Sequence, residues 1–443
     1  MKRDISARLL HWKNQENRKP LIIKGARQVG KTYAIQHFGK QEFQKVHYFN
    51  FEKERNLHAI FEKNLDPTTI LNQLMFVKDV PIGRKEDLVI FDEIQECPAA
   101  LTSLKYFSEE MPELAICSAG SLLGLTLQKG SFPVGKVEFL QMFPCSFMEF
   151  LNATDDSRSK NAIDAFINGK EIFDVAHEHI WEQFKTYLVV GGLPESILAW
   201  LNTGSTPLEA YKAVRKVQEN LLQAYQADMA KHSGKVNAMH IERLWRSVPA
   251  QLGRSEDGFS RKFTFKEVIP GLKGYSQLVG AIDWLIAAGM VLKIPIVNKA
   301  EQPLNAFSSD NTFKLFMFDV GMLGAMADLA PQTILDYQFG LYKGFVAENF
   351  VAQELVTNLQ SPLYSWKEQE SEVEFLQQIN AKLVPIEVKA GSRRRARSLD
   401  IFWKKYKPEK CIILSGDSPA KSSKEAWRLL PLYLAGSLAK INS

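Results

Sequence analysis

Eight residues near the N-terminus have the types and spacing that bind a phosphate chain. They are Gly25-Ala26-Arg27-Gln28-Val29-Gly30-Lys31-Thr32, which fit the pattern GxxxxGK[ST]. The apolar run Leu21-Ile22-Ile23 precedes them, and a helix-compatible stretch over residues 32–39 follows. In this setting the glycines let backbone N–H groups close on phosphates, the lysine reaches the β- and γ-phosphates, and the threonine hydroxyl holds Mg²⁺. The pattern therefore predicts an ATP site in which Lys31 is catalytic and Thr32 is a magnesium ligand.

Two carboxylates end a second apolar run, Leu88-Val89-Ile90-Phe91-Asp92-Glu93. The run predicts a buried parallel strand with acids at its carboxyl end, where ligands of open α/β sheets collect. We expect Asp92 to hold Mg²⁺ through its water shell and Glu93 to orient or deprotonate the attacking water. The alternative is a strand that merely leaves the core through two acids, which the upstream phosphate-binding loop disfavours. Ser118 and Ser121 follow the next predicted strand and either contact the γ-phosphate or its water, or cap a helix.

A third group of candidate residues lies on a predicted hairpin around Asn380-Ala381. Strand alternation places apolar residues on one face and charged residues on the other. The charged face carries Glu372, Glu374, Glu387 and Lys389. With a two-residue turn Glu374 lies directly across from Glu387, and two opposed carboxylates repel unless a positive charge lies between them. A divalent ion, Mg²⁺ or Mn²⁺, meets this need, with Lys389 placed to activate water or steady a leaving phosphate. The alternative is a solvated hairpin whose glutamates and lysine form surface pairs.

Strand and helix patterns predict the scaffold that positions these residues. Further strands are predicted over residues 46–51, 114–117, 137–142, 371–379 and 383–390. Asp66-Pro67 has the residue types of a helix N-cap followed by proline in the first turn, and a helix is predicted from there to about residue 77. The βαβ alternation of the N-terminal part implies a parallel sheet with helices on both faces. The predicted fold class is therefore α/β.

Composition and charge restrict the partners. The chain is 45% hydrophobic and 24% charged, with a formal net charge of +5, which permits a nucleic-acid partner without requiring one. Its cysteines lie far apart without CxxC spacing, which excludes a zinc or disulfide framework and favours a reducing cytosol. The longest apolar stretch, residues 284–297, is interrupted by Gly289 and Lys293, and no signal-peptide pattern opens the chain. We expect a cytoplasmic protein without a membrane partner, and the sequence allows a homo-oligomer.

The chain resembles the AAA-type P-loop ATPases of bacteria and archaea that carry the C-terminal domain of unknown function 4143. The matching stretches are GARQVGKT, LVIFDEIQ, GSLLG, VEFLQMFPCSFMEFL, YLVVGGLPE, KLFMFDVGML, EVEF and IEVKAG, in the family's order and over nearly the whole chain. One departure is Gly135-Lys136, where the family commonly has arginine after the glycine. Lysine keeps the charge and loses the bidentate fork, so the resemblance supplies no arginine finger at this position.

The C-terminal part resembles the core of PD-(D/E)XK nucleases. The resemblance implies that Glu348, on a helix predicted over residues 343–359, is a metal ligand together with Glu374 and Glu387. It also implies that Glu387 and Lys389 are catalytic. The family usually has aspartate where this chain has Glu374, whose longer side chain still supplies carboxylate oxygens.

Four parts are predicted along the chain. They are an ATPase core over residues 1–145, a helical lid over 146–235, a winged-helix-like segment over 236–300 and a nuclease-like α/β domain over 301–443. The lid is implied by the resemblance, and Gly191-Gly192-Leu193-Pro194 is a sharp turn within it, with a packing role favoured over a functional one.

The winged-helix interpretation depends on a pattern of three helices and a strand. The helices are predicted over residues 241–252, 264–269 and 275–288, and the wing strand over 290–294. In such folds the third helix enters the major groove. Its exposed positions here, Ser276, Gln277 and Asp283, are poor in positive charge, so a protein-contacting or packing role has at least equal weight. The basic residues nearby could touch phosphates or form a solvated face; they are Arg254, Arg261, Lys262, Lys266 and Lys273.

The densest basic cluster follows the predicted hairpin. It consists of Arg393, Arg394, Arg395, Arg397, Lys404, Lys405 and Lys407. Such a cluster could hold the phosphate backbone of DNA, or it could be a solvated helix face. Together the motifs predict an ATP-dependent, DNA-associated enzyme. The alternative is an ATP-driven regulatory or DNA-binding module whose C-terminal acids are structural.

Overall fold

The computed structural model describes residues 1, 3–120, 135–204, 206–253, 261–359, 361–391, 396–421 and 425–441. Of the residues singled out above, Ser121, Arg254, Arg393, Arg394 and Arg395 lie outside this part. The chain divides into two compact units, which we call the N-terminal unit (Lys2–Phe143 with Ala287–Gly289) and the C-terminal unit (Pro144–Ile286 with Met290–Ser443).

The N-terminal unit contains a five-stranded sheet, as the alternation of strands and helices predicts. Its strands are β1 (Leu21–Lys24), β2 (Val46–Asn50), β3 (Leu88–Asp92), β4 (Ala115–Gly120) and β5 (Glu138–Gln141). Its described helices are α1 (Ile5–Lys13), α2 (Lys31–Glu42), α3 (His58–Lys63), α4 (Pro67–Lys78) and α5 (Pro98–Glu110). All neighbouring strands pair in parallel, in the order β2-β3-β4-β1-β5. The predicted α/β class with a parallel ATPase-type sheet is confirmed.

The register of this sheet brings the carboxyl ends of three strands together. Asp92, the last residue of β3, pairs with Asn50 of β2 on one side and with Ala119 of β4 on the other. Every residue of β3 is buried, as a strand covered by helices on both faces requires. The predicted N-cap of α4 is confirmed, because the Thr69 N–H donates to Asp66 Oδ2 at 2.6 Å.

Aromatic rings fill the core on one face of this sheet. Phe51, Phe61 and Phe107 each contact Phe91 edge-to-face, with ring centroids 5.6, 5.6 and 6.4 Å apart. Edge-to-face pairs add about 0.5–1.5 kcal/mol each beyond the area that they bury. These contacts fix β3 and therefore fix where Asp92 and Glu93 emerge.

The C-terminal unit begins with helices, as predicted for residues 146–235. The described helices are α6 (Phe147–Ala153), α7 (Ser157–Ile167), α8 (Asp174–Val190), α9 (Pro194–Asn202), α10 (Pro207–Ser233), α11 (Lys235–Gly253), α12 (Tyr275–Ala287), α13 (Val320–Met326), α14 (Pro331–Leu335), α15 (Tyr342–Leu359), α16 (Arg397–Tyr406) and α17 (Leu438–Ile441). No helix among the described residues is both long and apolar enough to cross a membrane.

A mixed sheet of eight strands forms the rest of the C-terminal unit. The strands are β6 (Val291–Val297), β7 (Ser308–Met317), β8 (Leu363–Glu368), β9 (Ser371–Ile379), β10 (Lys382–Val388), β11 (Cys411–Ser415), β12 (Ala420–Lys421) and β13 (Trp427–Pro431). Their order is β12-β13-β11-β10-β9-β8-β6-β7. One apolar cluster spans this sheet, with Val297 of β6, Trp366 of β8 and Phe402 of α16 among its members.

Two parts of the winged-helix pattern differ from the prediction. Residues 264–269 form turns and an isolated bridge instead of a helix. The physical reason is that contacts with β7 hold the preceding residues extended. The Phe263 N–H donates to the Phe313 carbonyl at 2.8 Å, and the centres of the Phe265 and Phe313 rings are 5.8 Å apart. The predicted wing strand is β6, which is longer than expected and pairs with β7 and β8. β6 therefore belongs to the same sheet as the strands beyond residue 301. The sequence had predicted β6 within the winged-helix-like segment and those strands within the nuclease-like domain.

The predicted C-terminal hairpin forms with the predicted register. Asn380 and Ala381 both have positive φ, 50° and 63°, as the two central residues of a type I′ turn require. The β9–β10 ladder runs from Ile379–Lys382 to Phe375–Ile386. The next position along each strand is occupied by Glu374 and Glu387.

The turn at Gly191-Gly192 is needed for a buried contact. Gly191 has φ 73° and ψ −171°, a region that essentially only glycine occupies. A Cβ at Gly191 would lie 2.3 Å from Asp319 Oδ1, and the Gly192 N–H donates to Asp319 Oδ2 at 2.6 Å. This close approach supports the packing role that the sequence favoured.

We expect Gly191→Ala to lower the free energy of unfolding by about 3 kcal/mol or more. Backbone strain of this kind costs about 1–3 kcal/mol, and the Asp319 carboxylate must also move. Urea denaturation followed by tryptophan fluorescence measures the loss. The matched control is Gly169→Ala, where φ is 86° and a Cβ would meet open space, so that only the strain of about 1–2 kcal/mol remains. Equal losses for the two variants would contradict the role of the Asp319 contact.

Candidate functional sites: a nucleotide loop and a buried acidic cluster

The phosphate-binding loop connects β1 to α2 with the backbone conformation that its glycines allow. Gly30 has φ 91° and Gln28 has φ 65°, so the chain turns sharply between β1 and α2. A Cβ at Gly25 would lie 2.2 Å from the Met142 carbonyl oxygen, so glycine is required there. These features fit a loop that closes on phosphate oxygens.

Lys31 is the first residue of α2 and is only 8% exposed. Its ammonium donates to the carbonyl oxygens of Gly25 at 3.0 Å and Ala26 at 2.8 Å, both within the loop. Burial lowers the pKa of Lys31 to about 8, although the nearby carboxylates of Glu93 and Asp92 act in the opposite direction. The lysine is therefore held inside the loop, charged at neutral pH and close to its titration range.

The lowered pKa gives a prediction about ATP affinity. Phosphates stabilise the charged lysine, so its pKa in the complex lies above about 8. Below pH 8 the free protein already carries the charge, and the affinity is constant. Above pH 8 binding must take up a proton, and we expect the affinity to fall up to tenfold per pH unit. Equilibrium titrations with Mg-ATP at pH values from 7 to 9.5 measure this fall in affinity. Lys31→Arg is the control, because arginine stays charged over this range. A flat profile for the wild type would contradict this assignment.

Asp92 is the centre of a hydrogen-bond network at the end of β3. Its carboxylate accepts hydrogen bonds from Thr32 Oγ1 at 3.1 and 3.2 Å, Tyr48 Oη at 2.5 Å and Asn50 Nδ2 at 3.3 Å. Burial, followed by the hydrogen bond to Asp92, raises the pKa of Tyr48, so Tyr48 remains a donor. A hydroxyl and a carboxylate in contact beside the loop form a hard oxygen donor set, which fits Mg²⁺.

Glu93 follows β3 in a left-handed conformation, with φ 49° and ψ 44°. This conformation is uncommon outside glycine, asparagine and aspartate, and here it turns the side chain away from the direction of the strand. Gln95 Nε2 donates to Glu93 Oε2 at 2.5 Å. Burial raises the pKa of Glu93, against the effect of this hydrogen bond. A carboxylate whose pKa moves towards neutrality is a better general base.

Sequence reasoning missed Tyr48 and Asn50 as members of this site. Both lie on β2, which was predicted as a strand but not as a source of functional side chains. The signal was available: Asn50 ends a strand rich in aromatic residues, and the carboxyl ends of neighbouring parallel strands meet at one edge. Ser118, by contrast, is fully buried in β4, and its hydroxyl has no hydrogen-bond partner among the described residues.

Three acids of the predicted C-terminal site meet in the interior. Glu348 on α15, Glu374 on β9 and Glu387 on β10 are 1%, 4% and 3% exposed. Glu374 hydrogen-bonds to Glu387 and also feels the charge of Glu348. Burial, followed by the charge of Glu387, raises the pKa of Glu374 well above its usual value, which favours the protonated form of Glu374. The alternative of a solvated hairpin is wrong for these residues, because α15 and the sheet bury them.

Lys389 also belongs to this cluster. Its ammonium lies 2.5 Å from Glu387 Oε1. Burial alone would lower the pKa of Lys389, but the carboxylates of Glu374 and Glu387 outweigh it, and the pKa is raised. A lysine that keeps its proton cannot act as a base towards water. This favours the second predicted role, in which Lys389 steadies a phosphate.

Lys314 on β7 is a fifth member, which sequence reasoning missed. It is 1% exposed and lies 2.6 Å from Glu372 Oε1. Burial would lower the pKa of Lys314, but the charges of Glu372, Glu348 and Glu374 outweigh it, and the pKa is raised. The sequence feature that could have indicated its burial is its position directly before the apolar residues 315–318. In the structure both faces of β7 are buried at this point.

The cluster fits a divalent ion by donor type but is not arranged as a finished metal site. Glu387 Oε2 is buried without a hydrogen-bond partner in the described part of the chain, and carboxylate oxygens are the ligands that Mg²⁺ and Mn²⁺ prefer. However, no three acidic, histidine or cysteine side chains among the described residues are grouped as they would be around a metal ion. The two lysines already neutralise part of the charge.

Only part of the predicted basic cluster is described. Arg397, Lys404, Lys405 and Lys407 are exposed on or next to α16, which buries Leu399 and Phe402 on its other side. Lys405 lies 2.6 Å from Glu368. Lys136, at the position where the resembling family has arginine, lies 3.0 Å from Glu109.

Comparison with known proteins identifies three segments. Residues 17–151 match the model of an AAA domain, residues 181–333 a domain of unknown function (DUF8612), and residues 343–435 a domain of unknown function (DUF4143). The second match crosses the limits predicted at residues 235 and 300. Among curated proteins, none matches this chain.

Solved structures with a similar fold are distant. The Walker-type ATPase PABY2304 of Pyrococcus abyssi is 14% identical, with 73% of this chain and 95% of that chain covered and a TM-score of 0.45. The Aeropyrum pernix ORC1 protein in complex with DNA is 11% identical, with 74% and 93% covered and a TM-score of 0.32. Drosophila ORC bound to DNA is 12% identical, with 70% and 90% covered and a TM-score of 0.24.

Proposed function

Because the chain carries an AAA-type P-loop ATPase domain and a C-terminal DUF4143 domain, we propose that it hydrolyses ATP slowly and uses the cycle in an action on DNA. The observation that carries the ATPase half is the contact of Thr32 with Asp92, beside Lys31 and Glu93. This contact supports the proposal that Thr32 and Asp92 are a magnesium donor pair, with Lys31 as the phosphate-binding cation and Glu93 as the base.

The roles of these residues follow from their contacts. Mg-ATP, when bound, supplies the phosphoanhydride bond and a charge that spreads over the phosphate oxygens. Lys31 would exchange its two carbonyl acceptors in the loop for phosphate oxygens, and Thr32 and Asp92 would hold Mg²⁺. Tyr48 and Asn50 keep the Asp92 carboxylate in one orientation. Glu93 orients a water molecule and accepts its proton at a carboxylate oxygen.

The DNA half of the proposal depends on the acidic cluster. In this proposal Glu348, Glu374 and Glu387 would be the oxygen donors to Mg²⁺ or Mn²⁺ in a metal-dependent phosphodiesterase, and Lys389 would be the cation that steadies a phosphate. The support is that four residues from a helix and two strands converge in the interior. Burying acids at such density costs stability, and a site with a function explains why they are kept.

A second candidate is a regulatory or DNA-binding module with an inactive C-terminal domain. One observation favours it: Lys314 and Lys389 already supply positive charge to the acids. In that case the cluster stabilises the junction of α15 with the sheet, and the ATP cycle alone is the output.

The test of the proposal is whether DNA changes ATP turnover. We measure phosphate release from Mg-ATP with and without plasmid DNA, and follow the length of the same DNA on a gel. The proposal expects a faster release with DNA and metal-dependent shortening of the DNA. Faster release without shortening supports the regulatory candidate, and no phosphate release at all would contradict the ATPase assignment.

A further inference from the structure

A positively lined groove follows the β6–β7 hairpin in the C-terminal unit. Its larger pocket has a volume of about 490 Å³, and three lysines line it: Lys262, Lys299 and Lys367. A second pocket of about 220 Å³ shares Lys262 and adds Arg261. No acidic residue lines either pocket in the described part of the chain. Because they share Lys262, the two pockets adjoin each other, and we call them together the cationic groove.

The lysines of the larger pocket have little charge compensation. Lys262 contacts the neutral Thr312 hydroxyl at 3.2 Å, and Lys299 lies 5.7 Å from the centre of the Phe307 ring. Lys367 lies 3.3 Å from Glu372, but that carboxylate is already 2.6 Å from the buried Lys314. All three lysines of the larger pocket are exposed. Like charges brought together on one surface favour an anionic partner.

The neutral lining indicates what kind of anion fits. Ser308, Ser309, Thr312 and Asn298 line the pocket between the lysines. The three hydroxyls donate to Asn305 and Asn311 and would exchange these acceptors for phosphate oxygens when an anion binds. Phe307 lies half-buried in the same pocket, where an aromatic ring can stack with an unpaired base. A single phosphate would use one pocket. The spread of cations over two joined pockets suits a polymer of phosphates instead.

We propose that this groove binds the phosphodiester backbone of a nucleic acid. The inference rests on the proposed action on DNA and specifies where the strand is held. Glu372 connects the groove to the acidic cluster, because Lys367 contacts one of its oxygens and the buried Lys314 contacts the other. A backbone held by Lys262, Lys299 and Lys367 therefore passes beside the acids.

The experiment compares two triple variants of the full chain. In the groove variant Lys262, Lys299 and Lys367 are changed to Gln. In the control variant three exposed lysines away from the groove lining are changed to Gln, namely Lys170 after α7 and Lys212 and Lys216 on α10, so both variants lose the same net charge. Binding to fluorescent duplex and single-stranded DNA is measured by anisotropy from 50 to 200 mM salt. Thermal unfolding checks that both variants fold.

Only the groove variant should show a shallower slope of log affinity against log salt concentration. Each lost phosphate contact reduces the steepness by about 0.9 for duplex DNA and about 0.7 for a single strand. Three lost contacts therefore reduce it by about 2.7 or about 2.1. Between 50 and 200 mM salt, the groove variant should therefore lose about 40-fold less of its affinity for duplex DNA than the wild type loses. A larger change with one form identifies which form occupies the groove.

Lysine acetylation of the wild type provides a second measurement that needs no variant. DNA should protect Lys262, Lys299 and Lys367 from the reagent and leave Lys212 reactive. If the wild type binds DNA with an unchanged slope in the groove variant and without this protection, the groove assignment is wrong while the proposed function stands. The groove assignment is also wrong if the salt slope changes only when the predicted basic cluster Arg393, Arg394, Arg395 and Arg397 is altered. If the wild type binds no DNA, both fail.

Discussion

The Glu93→Gln variant should bind ATP as tightly as the wild type and lose its hydrolysis by about a hundredfold to ten-thousandfold. Binding is retained because Lys31, Thr32 and the loop N–H groups are unchanged. Hydrolysis is lost because an amide cannot accept the proton of the attacking water, and general-base catalysis contributes about 10²–10⁴ to such reactions. Gln can still accept the hydrogen bond from Gln95, so the left-handed turn that positions the side chain is preserved.

Two measurements separate the roles. Equilibrium titration with Mg-ATP reports binding, and phosphate release reports turnover. Lys31→Ala is the comparison, since it removes the cation and should abolish binding as well as turnover. If Glu93→Gln releases phosphate at the wild-type rate, Glu93 is not the base, and a different water-positioning group must be sought.

The second large effect is expected at the acidic cluster. Glu387→Ala should eliminate metal-dependent cleavage of DNA and leave ATP hydrolysis intact, because the two sites lie in separate units of the chain. Lys389→Ala should still bind the metal but cut slowly, since it removes only the cation beside the phosphate. A nuclease assay on single- and double-stranded DNA, with ATP and with Mg²⁺ or Mn²⁺, measures both effects.

The raised pKa of Glu374 gives this prediction a readout besides activity. It favours the protonated form of Glu374, and a divalent ion held between Glu374 and Glu387 would displace that proton, since metal ligands bind in their deprotonated form. We expect nucleotide-free wild type to release about one proton per ion, visible as a dependence of the calorimetric heat on the buffer. Glu374→Gln keeps the shape without the titrating group and should release none. If the wild type neither cuts DNA nor binds metal more tightly than Glu387→Ala, the regulatory candidate replaces the nuclease.

Short-range patterns predicted the ATPase sheet and its loop well. An apolar strand, glycines at fixed spacing and a helix start are each specified within a few residues, so Lys31, Thr32, Asp92 and Glu93 could be assigned to one site. The hairpin at Asn380-Ala381 was equally local, because a two-residue turn fixes its own register. That register also predicted that Glu374 lies across from Glu387.

Contacts between distant segments could not be predicted in the same way. The pairing of β6 with β8 joins residues about seventy positions apart, and no local pattern records it. The same is true of Lys314, whose partner Glu372 lies on another strand. The segment over residues 264–269 was predicted as a helix because its local pattern allowed one, and the contacts of Phe263 and Phe265 with Phe313 override that preference.

The position of β6 in the large sheet has a consequence for work with fragments. The DUF4143 match begins at residue 343, after β6 and β7 have ended. A fragment cut to that limit would leave one side of β8 without its neighbour and uncover the apolar cluster around Trp366. Open strand edges recruit the edges of other molecules, so such a piece would tend to aggregate where the full chain does not. Synthesis on the ribosome avoids this hazard, because β6 and β7 emerge first and β8 adds to a hairpin that already exists.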